Sequence, residues 1–291
     1  MLRDELVREL DDYFRVPDVE NDSAWGDTYD RLGASYWREY TEPSWAGRWN
    51  GLVVRGADTV ERAATCVFPS DAIVASLTPR TFLFSEHPIA FEDDVAGFTP
   101  LARETFELMS EREISFYNAH APLDHHPEVS PSRLCAAALG LDGWEEFFPI
   151  ADGIPGGAVV IGDSDLRVDT LAERLRTFLG DEIPVLVVAR PRSEAGRVAV
   201  AAGGGADRSI LEASLERGCG TFVTGNAASE CRIDFVREGV RAFRDLAAAE
   251  GVAVVDGTHY GTEKPPQLAM TAWFRARGLA AAFVPGRPER S

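Results

Sequence analysis

The residues best suited to chemistry are a histidine and a glutamate four positions apart, His259 and Glu263. They follow the apolar run 252–255, which is typical of a buried strand, and Gly257 and Gly261 indicate a turn after it. The carboxyl ends of strands are where sites form in α/β folds. If the segment is helical, residues four apart share a face, and an imidazole with a carboxylate is a common pair for a divalent metal. Taken alone, such a pair is more often structural than functional.

Two further histidines follow predicted strands, and each has an acid nearby. His87 comes directly after Glu86, and Asp124 lies four residues after His120. Three strand ends with one histidine and one acid each are less often accidental than a single pair. If the strand ends meet in space, they form a mixed nitrogen and oxygen pocket that suits Zn, Mn, Fe, Co or Ni. The alternative is that each histidine bonds a local carbonyl or acid.

Two other motifs are less specific. The run Gly203-Gly204-Gly205 follows a predicted strand, and either cradles a phosphate with backbone N–H groups or forms a tight turn that needs positive φ. It matches neither the dinucleotide fingerprint nor the Walker loop, which argues against a Rossmann oxidoreductase. The second motif, His125-His126-Pro127, follows Asp124 instead of ending a strand, and is interpreted as a solvated loop.

Composition excludes several classes of protein. The chain has 291 residues and a formal net charge of −18, which argues against nucleic acid as a partner. No apolar run approaches the roughly 20 residues of a membrane span, and the charged N-terminus does not resemble a signal peptide. Four scattered cysteines without a C-x-x-C motif indicate reduced, semi-buried thiols. A cytoplasmic protein without a membrane or nucleic-acid partner is therefore expected.

The order of predicted elements indicates an α/β fold in two lobes. Residues 1–50 are interpreted as an N-terminal helix over 1–15 and an irregular surface segment, 51–150 as the first lobe and 151–291 as the second. Strands alternate with helices in both lobes, which indicates layers of sheet and helix.

Local signals predict where some helices begin and end. Thr170 with Glu173, and Ser209 with Glu212, resemble capping boxes that open two helices of the second lobe. Pro265-Pro266 is expected to end the segment after His259 and to begin the last helix.

Five blocks in sequence order resemble the Nif-three-like family of dinuclear-metal hexameric proteins. They are Glu86-His87-Pro88, His120 with Asp124, Gly203-Gly204-Gly205, Thr224-Gly225, and Thr258-His259-Tyr260 with Glu263. Many bacterial members of the family carry the name GTP cyclohydrolase type 2. The resemblance implies a two-lobed α/β fold with mixed β-sheets flanked by helices. It also implies a toroidal homohexamer, a trimer of dimers, with two divalent metal ions per subunit.

The resemblance also implies a set of metal ligands, with Glu263 bridging two ions. These ligands are His87, Asp124, His259 and Glu263, and Glu86 is kept as a further candidate because a carboxylate can also bind metal. The family's first block usually reads His-His-Pro, so Glu86 departs from it. If Glu86 binds metal, one ion has three carboxylates and prefers Mn, Mg or Fe(II), whereas the other has two imidazoles and Glu263. If it does not, one site is weak or empty.

Two functions follow from this site, and they belong to different classes. The first is a metal-dependent hydrolase that acts on a nucleotide-type substrate, like GTP cyclohydrolase type 2. In it, His120 is a ligand, a residue that orients a ligand, or the catalytic proton carrier. The second is a non-catalytic metal-binding assembly, either regulatory or a metal chaperone.

Overall fold

The computed structural model describes residues 1–19, 25–91, 97–151, 153–231 and 233–286. The α-helices of these residues are α1 Arg3–Phe14, α2 Trp25–Arg31, α3 Pro43–Arg48, α4 Asp71–Ser76, α5 Arg103–Glu111, α6 Ala121–Asp124, α7 Pro131–Leu139, α8 Val168–Leu179, α9 Arg208–Glu216, α10 Asp234–Ala249 and α11 His259–Ala276. The strands are β1 Gly51–Val54, β2 Arg62–Cys66, β3 Thr81–Ser85, β4 Ala90–Phe91, β5 Phe98–Thr99, β6 Ser115–Asn118, β7 Asp142–Phe147, β8 Val159–Arg167, β9 Leu186–Ala189, β10 Glu194–Ala201, β11 Thr221–Thr224, β12 Ala253–Asp256 and β13 Ala280–Phe283. Among these helices, none is both long and apolar enough to cross a membrane.

The first of two compact units contains a five-stranded sheet. It comprises the described residues before position 92, Phe98–Leu123, and the described residues from Gln267 onward. The strand order is β1-β6-β3-β2-β13, in which β1 is antiparallel to β6 and the other neighbours are parallel. Every residue of β3 is buried, because parallel strands are covered on both faces and consist of near-continuous apolar runs.

The segment predicted as irregular packs into the core of this unit. Residues 25–50 contain α2, α3 and a 3-10 helix, Ser35–Glu39. The rings of Trp25, Tyr29 and Trp45 are buried in the same apolar cluster as the sheet. Aromatic side chains bury a large area each, so a segment rich in them is covered even though its sequence lacks a clean period. The predicted N-terminal helix is present as α1.

The second unit contains a six-stranded mixed sheet. This unit comprises Gly97 and the described residues from Asp124 to Pro266. Its strand order is β7-β8-β10-β11-β12-β9, with the parallel strands β10, β11 and β12 side by side. The register pairs Ala201 with Thr224 and Thr224 with Asp256. The carboxyl ends of the three strands therefore lie level, and the loops that follow them share one edge of the sheet.

The predicted starts of three helices are wrong. Helix α8 begins at Val168, so Thr170 lies inside it, and α9 is capped by Asp207, whose carboxylate accepts from Ser209 N at 2.8 Å. Helix α11 runs through Pro265-Pro266 instead of beginning there. Proline at these positions removes N–H donors that would otherwise bond carbonyls one turn earlier. The freed Thr262 carbonyl instead accepts from the Cys135 thiol at 3.9 Å.

Candidate metal centre

The start of α11 is fixed by the loop between it and β12. The hydroxyl of Thr258 accepts from Gly261 N at 2.9 Å, as an N-cap does. Thr258 has φ +61°, a left-handed conformation that costs energy for a β-branched residue. The carboxylate of Asp256 holds Thr258 in this conformation by accepting a hydrogen bond from Thr258 N at 2.8 Å. The first helical residue is consequently His259, directly after the sheet edge.

This start places His259 and Glu263 on one face of the helix. Nε2 of His259 lies 2.8 Å from Oε1 of Glu263, and the Glu263 side chain is almost entirely buried. The predicted convergence of the pair is therefore confirmed, since residues four apart in a helix are neighbours.

The triple-glycine loop leaves room for the Glu263 carboxylate. A Cβ atom added to Gly203 would overlap Oε1 of Glu263, and Gly203 has φ +59°. Two of the three glycine N–H groups bond within the protein: Gly203 N donates to the Thr262 hydroxyl at 2.9 Å and Gly205 N to Ala202 O at 3.2 Å. Of the two interpretations of this loop, the tight turn with positive φ is the one observed.

Glu263 is near a second acid of the same unit. Ligand-type oxygens of Asp124 and Glu263 lie within 4.8 Å of each other, as do ligand-type atoms of His259 and Glu263. Asp124 is the last residue of the short helix α6. Glu263 thus belongs to two close pairs, one nitrogen–oxygen and one oxygen–oxygen.

In the first unit, two neighbouring parallel strands end side by side. Ser85 of β3 pairs with Asn118 of β6, so the residues after each strand emerge at the same sheet edge. Ala119 N donates to Ser85 O at 3.1 Å and His120 N to Asn50 Oδ1 at 2.7 Å, which fixes both ends. The predicted placement of Glu86, His87 and His120 after strands is confirmed.

Aromatic rings surround the two histidines of this unit. The ring of His87 stacks on Phe68 with centroids 4.3 Å apart, and the His120 ring lies 4.7 Å from it. Trp25 meets both imidazoles edge-on, at 5.5 Å and 5.0 Å. His87 is buried, whereas His120 is half-buried. Ring packing therefore limits the orientations of both imidazoles.

The glutamate that departs from the family pattern is completely buried. Glu86 has 0% exposure, and its Oε2 accepts from Nε2 of Gln267 at 3.2 Å. Burying a carboxylate is costly unless hydrogen bonds or a cation compensate it. Gln267 has no place in the sequence-based prediction, which considered titratable residues only.

The His-His-Pro motif outside the strand ends is structural. His126 is buried, and its Nδ1 accepts from Glu128 N at 3.1 Å ahead of α7. The expected solvated loop is therefore wrong for His126, whose acceptor nitrogen is already used by the backbone.

The thiols and the single lysine serve packing and not ligation. All four cysteines are free and buried, and burial raises the pKa of Cys135 to about 12 and of Cys219 to about 11. Cys135 and Cys219 therefore stay neutral at physiological pH, unlike metal-binding thiolates. Lys264 Nζ donates to the last carbonyl of α8, Leu179 O, at 2.8 Å and to Glu182. It therefore caps a helix C-terminus, and its hydrogen bond lowers the pKa of Glu182.

The donor set fits a divalent cation. Histidine, aspartate and glutamate side chains of the described residues form candidate metal-binding groups. Their nitrogen and carboxylate oxygen atoms are ligands that first-row divalent metals accept. The fold and these side chains define a mixed α/β protein of two units with candidate metal-binding groups.

Comparison with known proteins identifies the family. The chain belongs to the family described as Duf34/NIF3 (NGG1p interacting factor 3), whose model matches residues 34–280. A relative from Deinococcus radiodurans, named GTP cyclohydrolase 1 type 2 homolog, is 28% identical over 262 residues, 90% of this chain and 84% of the relative. The predicted family is thereby confirmed.

Two solved structures share the fold. One is described as protein ybgI of unknown function, with a TM-score of 0.67 and 20% identity over 99% of this chain and 100% of that one. The other is a Bacillus cereus protein related to NIF3, with a TM-score of 0.59 and 15% identity over 94% and 98% of the two chains. The predicted fold class, α/β with mixed sheets flanked by helices, is confirmed.

Proposed function

We propose that this chain binds two divalent metal ions bridged by Glu263 and uses them in a hydrolytic reaction. The observation that supports this proposal is the double role of Glu263, whose carboxylate is close to both His259 and Asp124. A carboxylate that is close to both a nitrogen ligand and an oxygen ligand suits two adjacent cations with different ligand sets.

We propose that residues of the first unit complete the two coordination sets. As the resemblance of the motifs implies, His87 would join His259 and Glu263, and Glu86 would join Asp124 and Glu263. The predicted ranges 1–50, 51–150 and 151–291, and the predicted position of the metal site between the lobes, stay predictions. The ions could be Zn, Mn, Fe, Co or Ni, with the oxygen-rich set favouring the harder of these.

In this proposal the side chains bind and orient, and one of them carries a proton. The bound cations would lower the pKa of a water to about 7 and polarise the substrate. His120 would accept a proton at an imidazole nitrogen and later return it, because an ordinary histidine titrates near neutral pH. Its backbone N–H donates to Asn50 Oδ1 at 2.7 Å, and the residue is only half-buried.

The substrate class rests on the names of relatives. The Deinococcus relative is named as a homolog of GTP cyclohydrolase type 2. We propose a nucleotide-type substrate for this chain on that basis, with the cations supplying the positive charge that a chain of net charge −18 lacks elsewhere.

We further propose a homohexamer, a trimer of dimers, that works in the cytoplasm. The resemblance of the motifs supports the assembly, and four buried free thiols suit a reducing compartment. Light scattering on the purified full chain measures the mass directly, and a monomer at all concentrations would contradict the hexamer.

The test of the function combines metal content with turnover. The purified chain is dialysed, its bound metals are counted by mass spectrometry, and nucleotides and phosphoesters are screened with and without a chelator. We expect about two equivalents of metal per chain and turnover that the chelator removes. His259→Ala with Glu263→Ala should abolish metal binding, and retained metal in that variant would contradict the site.

A second outcome separates the rival function. Two bound ions without any chelator-sensitive turnover would contradict the hydrolase and favour the metal-binding regulatory or chaperone assembly. His120→Ala sharpens this distinction, since the loss of a proton carrier should lower kcat about 100-fold while the metal content stays the same.

A further inference from the structure

A neutral amide donates a hydrogen bond to the most deeply buried candidate ligand. Gln267 and Glu86 both have 0% exposure, and the Gln267 Nε2 atom donates to Oε2 of Glu86 at 3.2 Å. An ionised carboxylate only accepts hydrogen bonds, so the amide must turn its nitrogen end toward it. This contact fixes which of the two Glu86 oxygens faces the Gln267 amide.

The backbone of Gln267 is itself anchored. The Gln267 carbonyl oxygen accepts from the hydroxyls of Thr65 and Thr271, each at 2.9 Å. The two hydroxyls also lie 2.7 Å apart, one on strand β2 and the other on helix α11. An anchored residue can orient its neighbour, because its own side chain has few alternative positions.

The other end of the amide is an unusual buried group. Among the described residues, nothing donates a hydrogen bond to Gln267 Oε1, although this atom is inaccessible to solvent. Buried acceptors are normally satisfied, and an exception needs an explanation. A hard divalent cation keeps part of its hydration shell when it binds to protein. A water that such an ion keeps when it binds can donate a hydrogen bond to Oε1. An ion that lost all its water would bring no such donor.

We propose that Gln267 is a positioning residue that orients Glu86 and thereby makes the Glu86 half of the centre selective for hard divalent cations, Mn²⁺ or Mg²⁺ over Zn²⁺. This inference rests on the proposed dinuclear site. It assigns a role to a residue with no titratable group and explains why an amide is buried beside a carboxylate. The neutral amide orients Glu86 without cancelling the negative charge that attracts the ion.

The experiment measures metal selectivity and not activity. Apo protein is titrated with Mn²⁺ and with Zn²⁺ by calorimetry, and the stoichiometry is checked by mass spectrometry after dialysis against both ions. For Gln267→Met, we expect the affinity for one equivalent of Mn²⁺ to fall about 10- to 100-fold, as for other groups that orient ligands. The affinity for the second equivalent and for Zn²⁺ should change much less.

Two comparisons separate orientation from general damage. Thr81→Val removes a buried hydroxyl at the start of β3 that bonds the Thr78 carbonyl and neither Gln267 nor Glu86, and should leave the Mn²⁺ to Zn²⁺ ratio unchanged. In a Glu86→His background, Gln267→Met should alter the ratio by less than about twofold, since the carboxylate that it orients is gone. If Gln267→Met does not fold, Gln267→Asn, which retracts the amide by one methylene, replaces it.

The possible failures can be told apart. If the wild-type chain binds neither ion, the proposed function fails and this inference fails with it. If the wild-type chain binds two ions but Gln267→Met weakens both equivalents equally or leaves the ratio unchanged, the positioning role alone is overturned. A ratio that shifts as much in Thr81→Val as in Gln267→Met would likewise overturn it.

Discussion

The two units hold their candidate ligands by different means. In the first unit, rings pack around His87 and His120, with Phe68 stacked at 4.3 Å and Trp25 edge-on to both. In the second unit, hydrogen bonds and the space left by a glycine define where His259 and Glu263 lie. Ring packing is spread over many weak contacts. The space for the Glu263 carboxylate, in contrast, depends on the absence of one atom, a Cβ at position 203. The second region should therefore tolerate substitution less well.

The largest effect is expected from Gly203→Ala. A Cβ there overlaps the Glu263 carboxylate, and the φ of +59° is unfavourable for alanine. Backbone strain and overpacking together should lower the free energy of unfolding by about 3 kcal/mol. Displacement of the bridging carboxylate should weaken metal binding by about 100-fold or more. Urea denaturation and calorimetric metal titration measure the two effects.

The adjacent glycine provides the control for this experiment. A Cβ on Gly204 would lie 3.9 Å from Cε1 of His259, an ordinary contact. Gly204→Ala should therefore leave both stability and metal binding nearly unchanged. If the two substitutions change stability and metal binding equally, the cause is a general change in the loop and not the overlap of a Cβ with Glu263.

A smaller effect on metal binding is expected from Phe68→Ala in the first unit. Removal of a buried phenyl ring should also lower the free energy of unfolding by about 3 kcal/mol. The remaining rings still confine His87, however, so metal affinity should fall only about tenfold. Phe68→Leu, which fills much of the space, should recover most of the stability. A loss of metal as large as in Gly203→Ala would contradict the contrast between the units.

No difference between the units is expected in the reactivity of their thiols. Burial raises the pKa of Cys66 in the first unit far above its usual range, and that of Cys135 in the second to about 12. Because the thiolate is the reactive form, iodoacetamide should not label Cys66 or Cys135 of the folded chain between pH 7 and about pH 10. Both should react once the chain is unfolded. Rapid labelling of either one in the folded chain, located by mass spectrometry, would identify a unit that opens locally.

The sequence predicted most of the fold because its strands are continuous apolar runs. The strands that end at Ser85, Asn118 and Asp256 were all identified, and with them the places of the histidines. The helix boundaries were harder, because Pro265 and Pro266 normally end a helix. Here the Thr262 carbonyl that Pro266 leaves free has another partner, the Cys135 thiol, which no local pattern reveals.

The sequence predicted the titratable residues of the candidate site but not the residues that hold them in place. The acids and histidines are visible as residue types after strands, whereas Gln267 and Thr262 act through contacts with residues far away in sequence. One signal was available for Gln267, which lies four residues after Glu263 and so at helical spacing from it. The role of Gly203 required the position of the Glu263 side chain, which only the folded structure provides.

The contact between Gly203 and Glu263 also has an evolutionary consequence. Two positions sixty residues apart in the chain are constrained by one carboxylate, so they are inherited as a pair. A descendant that loses the acid loses one of the two reasons to keep a glycine at position 203, and only the positive φ still favours it. In lineages where this centre has decayed, we therefore expect larger residues at position 203 to arise only after Glu263 has been replaced.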